Sequence, residues 1–130
     1  MSNLTYLLVV NSAVYGQQSA AHALKFAQAI TESEHTLSAV FFYQDGVSNA
    51  LSTLLPASDE VNLVHRWKDL GRQHGVDLLV CSAAAARRGL IDETEATSAD
   101  LVCTQDDAFI SAGLAELAML SLKADRVIQL

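Results

Sequence analysis

The sequence predicts a single α/β domain: a central, mostly parallel sheet of about five strands with helices on both faces. Three observations lead there. Residues 4–10 are a short, dense apolar run, the mark of a strand buried on both faces rather than on one, and residues 37–43, 77–80 and 126–130 read as further short strands. Segments with apolar residues at helical spacing lie between them, so strand and helix alternate. The chain has 130 residues, of which 51% are apolar and 18% charged. That is the size of one domain, and it can build a core without disulfides or metal. No repeat, low-complexity stretch or linker divides residues 1–130.

The elements follow in order. Residues 4–10 form the first strand, ended by Asn11, Ser12 and Gly16. Ala20, Ala23, Leu24, Ala27 and Ile30 recur at helical spacing and predict a helix over residues 18–34. LSAVFFY, residues 37–43, is the second strand, closed by the turn signal Asp45–Gly46. Pro56 and Ser58–Asp59 then precede a helix with Val61, Val64, Trp67, Leu70 and His74 near one face. Asp59 and Glu60 suit the positive start of that helix, and Gly75 suits its end. Residues 77–80 are the third strand and lead straight into Cys81. Residues 82–87 form a short helical turn halted near Gly89. Residues 90–107 are acidic and irregular, with a short helix at 93–96. A weak strand at 109–111, a helix over 113–123 carrying Leu114, Leu117, Ala118 and Leu122, and a closing strand at 126–130 complete the domain.

Composition removes several classes of function. The formal charge is −7, which argues against direct nucleic-acid binding, because that depends on clustered cations neutralising phosphates. No apolar run approaches the roughly 18 residues that span a bilayer. The opening MSNLTYLLVVNS has no basic leader region and reads as a strand, so a cytoplasmic chain is expected. Cys81 and Cys103 form no CxxC and make no zinc-type spacing with histidine, so no metal is expected; a disulfide between them is disfavoured in a reducing compartment. The turn after the first strand, NSAVYGQQSA, holds one glycine and no lysine and matches no phosphate-binding loop. The GxSxG elbow of serine hydrolases is missing as well. No cofactor is expected.

What remains is a thiol. LLVCSAAAARRG, residues 78–89, carries Cys81 at the carboxyl end of a predicted strand, directly before a helix start. Reactive groups of open parallel sheets gather at such ends, and a helix N-terminus stabilises an anionic sulfur. Two readings of Cys81 stand at this level: a small core residue, common for cysteine, or a thiol the fold presents to a partner. The alanines would give a large partner clearance around the sulfur. Arg87 and Arg88 would add positive potential, dock a partner, or pair with Asp92 and Glu93. Cys103, among Asp100, Asp106 and Asp107, reads as a spectator, since acidic neighbours disfavour a thiolate. The four histidines are scattered, and DETEA, residues 92–96, reads as a solvated helix start with acids at its positive end.

Larger stretches say more than periodicity does. FFYQDGV (41–47), PASDE (56–60), the HGV, LLVC and AAAARRG segments of residues 74–89, LIDETEA (90–96), ISAGLAEL (110–117) and ADRVIQL (124–130) together resemble the DsrE/TusD family of sulfur-relay proteins. The resemblance runs in order along nearly the whole chain. It implies a DsrEFH-like fold with one essential cysteine after the third strand, a position that falls on Cys81. It implies a sulfurtransferase that accepts sulfane sulfur as a persulfide from a TusA-like carrier and passes it to a TusE-like acceptor, for 2-thiolation of tRNA wobble uridine. It also implies a heterohexamer with TusB-like and TusC-like paralogous subunits. ISAGLAEL departs slightly from the family pattern, because Ala112 displaces its glycine. Two rivals remain: DsrE-like sulfur trafficking in dissimilatory sulfur oxidation, and a non-catalytic interaction subunit of such a complex.

Overall fold

Crossovers between parallel strands organise the fold. The computed structural model describes residues 3–130; Met1 and Ser2, the start of the stretch read as lacking a basic leader, lie outside the described residues. In chain order the elements are β1 Thr5–Val10, α1 Ser19–Glu32, β2 Thr36–Phe42, a 3-10 helix Gln44–Ala50 and α2 Leu63–His74. Then come β3 Asp77–Cys81, α3 Ser82–Arg87, α4 Glu93–Ala99, β4 Ile110–Ala112, α5 Leu114–Lys123 and β5 Arg126–Gln129. The five strands form one sheet of order β4-β3-β2-β1-β5, parallel throughout. The chain steps from β1 through β2 and β3 to β4 in one direction, and α5 then carries it back across the sheet to β5. Right-handed connections in opposite directions place their helices on opposite faces. So α1 and α2 cover one face, and α5 lies on the other.

Side chains confirm the assignment. Phe42 of β2 meets Trp67 of α2 edge-on at 5.1 Å between ring centres, and Phe109 packs on Phe42 from the side at 5.5 Å. Leu78 lies against Gly71 of α2, whereas its neighbour Leu79 lines a groove with Met119 and Leu120 of α5. This is the two-residue alternation of a strand. The core is continuous across both faces, and Leu7, Leu8, Val10, Val40, Phe41, Phe42, Trp67 and Val80 are wholly buried.

Two boundaries differ from the sequence expectation. α2 begins at Leu63 because Asn62, in extended conformation, accepts a capping hydrogen bond from the His65 N–H at 3.2 Å. Asp59 and Glu60 therefore lie outside the helix, and Glu60 instead accepts from the Tyr15 hydroxyl at 3.2 Å. His74, placed with the apolar stripe by spacing, is exposed in the last turn. Gly75 does end α2, at φ +64°, the left-handed conformation that glycine adopts at no steric cost.

The second difference is the 3-10 helix, where the sequence suggested only a turn. Its Gly46 sits hard on the end of β1: a Cβ there would lie 1.9 Å from the Val10 carbonyl oxygen. Three residues on, Asn49 is wholly buried. Its amide donates to the Ser12 and Gly46 carbonyls at 3.1 and 2.9 Å, and its oxygen accepts from Trp67 Nε1 at 3.2 Å. A buried amide is tolerated when its hydrogen bonds are made. Asn49 thus ties the loop after β1, the 3-10 helix and α2 together at the carboxyl end of the sheet.

Candidate functional site

The carboxyl end of β3 is where sequence reasoning placed the chemistry, and Cys81 is the last residue of that strand. It pairs with Ala112, the last residue of β4. It is also the N-cap of α3, with φ −61° and ψ 112°, and its side chain caps no backbone N–H. Extended residues at this position turn the chain straight from strand into helix, so the first-turn amides of α3 point back toward the strand end. Ala112 is followed by Gly113, the N-cap of α5, whose backbone N–H is bonded to Glu116 Oε1 at 3.4 Å. Two helix starts, α3 and α5, therefore flank the end of β3. The residue that displaces the glycine in ISAGLAEL is the strand partner of Cys81.

The sulfur is less open than expected. Cys81 is 3% exposed, where the alanine run had suggested a thiol standing clear. The run is split by helical geometry: Ala84 and Ala85 face inward and are buried, while Ala83 and Ala86 are exposed. Two of the four alanines are therefore small because α3 packs against the 3-10 helix. Alternation puts Cys81 on the α5 side of the sheet with Leu79, beneath the β4–α5 junction.

The arginines separate. Arg88 Nε bonds Asp45 Oδ1 at 3.0 Å, and its Nη1 donates to the Ala84 carbonyl at 3.0 Å. Pairing with Asp92 or Glu93 is not what the fold makes; Arg88 clamps α3 to the 3-10 helix. Arg87, exposed at the last position of α3, makes no ion pair among the described residues.

Asp92 caps α4, accepting from the Glu95 N–H at 2.8 Å, as the helix-start reading of DETEA expected. Its other oxygen accepts from the Ser111 hydroxyl of β4 at 2.6 Å. The Ser111 bond, then the Glu95 N–H, hold its carboxyl below the ordinary carboxylate range against some burial. Buried Gln105 donates to the Phe109 carbonyl at 3.2 Å and to Ser111 Oγ at 3.3 Å, closing the network that fixes the long loop before β4. Sequence reasoning missed Asn49, Gln105 and this network, since single polar residues in loops carry no periodic signal.

Cys103 lies in that loop, half-buried, with its thiol 3.5 Å from the Gln105 carbonyl; neither cysteine is bonded to the other. His35 accepts the Leu4 N–H at Nδ1, 3.1 Å away, a structural contact at the amino ends of β1 and β2, opposite the end that carries Cys81. Among the described residues, no three His, Cys, Asp or Glu side chains are grouped to hold a metal ion. No helix among them is long and apolar enough to cross a membrane.

Comparison with known proteins fits this geometry. The family model described as DsrE/DsrF-like matches residues 5–130. This chain belongs to that family. A protein of Vibrio parahaemolyticus named "Sulfurtransferase TusD homolog" is 52% identical over 99% of both chains. A protein of the same name from Vibrio cholerae is 50% identical over 99% of both. "Sulfurtransferase TusD" of Serratia proteamaculans is 48% identical over 97% of this chain and 98% of its own. The crystal structure of the YchN protein from E. coli superposes with a TM-score of 0.80 over 98% of this chain and 99% of that one. At 24% identity that likeness speaks for the fold.

Proposed function

We propose that this chain is a cytoplasmic sulfurtransferase subunit that relays persulfide sulfur through Cys81. The observation that carries the reading is the placement of Cys81 at the carboxyl end of β3 between two helix starts, in a chain about half identical to relatives named sulfurtransferase. The step is an exchange at sulfur. The Cys81 thiolate attacks the outer sulfur of a donor persulfide; the donor S–S bond breaks and the donor leaves as its thiolate. An acceptor thiolate then attacks the outer sulfur on Cys81, whose own thiolate leaves. Both transfers conserve oxidation state, so the relay consumes no metal, nucleotide or external oxidant. The positive ends of α3 and α5 favour the anionic sulfur held between the steps.

The donor is a TusA-like carrier, the acceptor TusE-like, and the sulfur is destined for the 2-thio group of tRNA wobble uridine. TusB-like and TusC-like paralogues complete a heterohexamer around it. Because the resting thiol is nearly enclosed, access requires the β4–α5 junction or the first turn of α3 to yield when a carrier docks.

Intact-mass measurement after incubation with a persulfide-loaded carrier tests the role of Cys81. Wild type and Cys103→Ser should each gain one sulfur, about 32 Da in the exchange above, and Cys81→Ser should gain none. An adduct that survives Cys81→Ser but disappears in Cys103→Ser would overturn the assignment. No adduct on any version would favour an interaction subunit.

A further inference from the structure

Strand register places a second polar group beside the thiol. Two residues before Cys81, Leu79 pairs with Phe41, and Phe41 pairs with Val9. The Asn11 N–H, bonded to the Leu130 carbonyl at 2.7 Å, continues β1 by one residue. Tyr43 and Cys81 are both extended, at φ −133°, ψ 157° and φ −61°, ψ 112°, so each keeps the alternation of its strand. Asn11, Tyr43, Cys81 and Ala112 therefore form one row across the carboxyl ends of β1 to β4. Phe42 faces Trp67 of α2, which puts Tyr43 on the α5 side with Cys81, one strand spacing of about 4.8 Å away.

The fold fixes this pair. The Tyr43 N–H donates to the Val10 carbonyl at 2.9 Å. Gln44, next in the chain, takes φ +51°, a left-handed conformation that a glutamine adopts only at a cost. It turns the chain at once into the 3-10 helix. Asp45 then holds Arg88, at the end of the short helix that Cys81 begins. The segments leaving Tyr43 and Cys81 are thus clamped to each other. Only the tip of Tyr43 is uncommitted. Its ring is half-buried against the core, and its hydroxyl bonds nothing among the described residues. Asn11 Oδ1, the acceptor next in the row, is buried with no donor, so the hydroxyl is not held on that side either.

We propose that Tyr43 is a further catalytic residue, its hydroxyl donating a hydrogen bond to the outer sulfur of the Cys81 persulfide. This role rests on the relay through Cys81. Length selects the outer sulfur: a tyrosine carries its oxygen beyond the reach of a neighbouring cysteine sulfur, to the level where a second sulfur stands. A persulfide is an anion at neutral pH, and its outer sulfur repels the acceptor thiolate that must attack there. A hydrogen bond from Tyr43 offsets that charge. The acceptor then bonds the outer sulfur, the S–S bond breaks, and its electron pair leaves on Cys81. The hydroxyl keeps its proton throughout.

Cyanide, which removes the outer sulfur of a persulfide as thiocyanate, is the probe. The full chain carrying Cys103→Ser, so that Cys81 alone reports, is loaded with inorganic polysulfide, and circular dichroism confirms that each variant folds. Adding Tyr43→Phe, which keeps the ring, should slow thiocyanate release about tenfold. Iodoacetamide should alkylate the unloaded Cys81 at the same rate with either residue, because the hydroxyl serves only the outer sulfur. Tyr6→Phe, whose ring packs on Phe26 and His35 at the other end of the sheet, should leave both rates unchanged. Undiminished thiocyanate release from Tyr43→Phe, or alkylation that slows equally, would overturn the role of Tyr43 and leave the relay standing. A chain with Tyr43 intact that takes up no sulfur at all would overturn the relay and this role together.

Discussion

The two faces of the sheet are built from the same kinds of residue and end in opposite states. On one, α1 and α2 bury Ala20, Ala23, Leu24, Ala27, Ile30, Val64, Trp67 and Leu70, and their outer surfaces are polar. On the other, α5 alone spans from β4 to β5, buries no residue fully and shows apolar side chains to solvent. Topology is the cause. Of three successive crossovers in one direction, the first two stack α1 and α2 on one face, whereas one return crossover leaves a single helix over a sheet too wide for it. The difference teaches that apolar composition reports total burial, including burial against other chains. A chain that is 51% apolar completes one face by itself and leaves apolar side chains of the other in solvent. Cys81 lies on the same side of the sheet as that face, at the carboxyl end of β3 beside Ala112.

Substitutions on the two faces should separate them, and the largest effect belongs to the finished one. Trp67→Ala removes a fully buried ring from between Phe42 and Asn49 and should cost about 3–5 kcal/mol in urea unfolding. Leu122→Ala on α5 removes a side chain already 88% in solvent and should change the stability of the dissociated chain by less than about 0.5 kcal/mol. Equal losses at the two positions would mean that α5 is held by interactions the fold does not show. Next in size is Asn49→Ala. It leaves Trp67 Nε1 without its acceptor and removes the side-chain donor from the Ser12 and Gly46 carbonyls, a loss of about 1–3 kcal/mol measured by the same unfolding curves. A neutral result would show that water replaces the amide and that the carboxyl end of the sheet is looser than its hydrogen bonds imply.

Legibility follows the same division. The strands, α1 and the end of α2 were readable, because burial on a regular element imposes a period and Gly75 carries a fixed conformational meaning. β4 was readable only weakly: a three-residue strand offers no pattern, and its place is set by pairing with β3. The 3-10 helix was misread because Gly46 signals a turn locally, while its actual constraint is the Val10 carbonyl pressed against it. The position of Cys81 was legible from one strand end and one helix start. Its enclosure was not, since Ala112 comes from 31 residues further along the chain. The role of Arg88 stayed open for a like reason: its partner Asp45 is brought to it by the 3-10 helix.

A small, pH-dependent effect belongs where the loop before β4 is anchored. Asp92 joins the start of α4 to Ser111, one residue before the strand end that covers Cys81. Its carboxyl is held low in the folded chain by the Ser111 hydroxyl first and the Glu95 N–H second. A depressed folded-state value means the stabilisation is complete above the unfolded carboxylate value, near pH 4, and is lost as pH falls through the lower folded one. Asp92→Asn keeps a capping oxygen and loses only the charge, so at neutral pH it should cost no more than about 1 kcal/mol. Urea midpoints for wild type and Asp92→Asn should therefore differ at neutral pH and converge as pH falls from the unfolded carboxylate value through the lower folded one. If the gap between them were the same at every pH, the charge would contribute nothing, and the anchor of β4 beside Cys81 would rest on neutral hydrogen bonds alone.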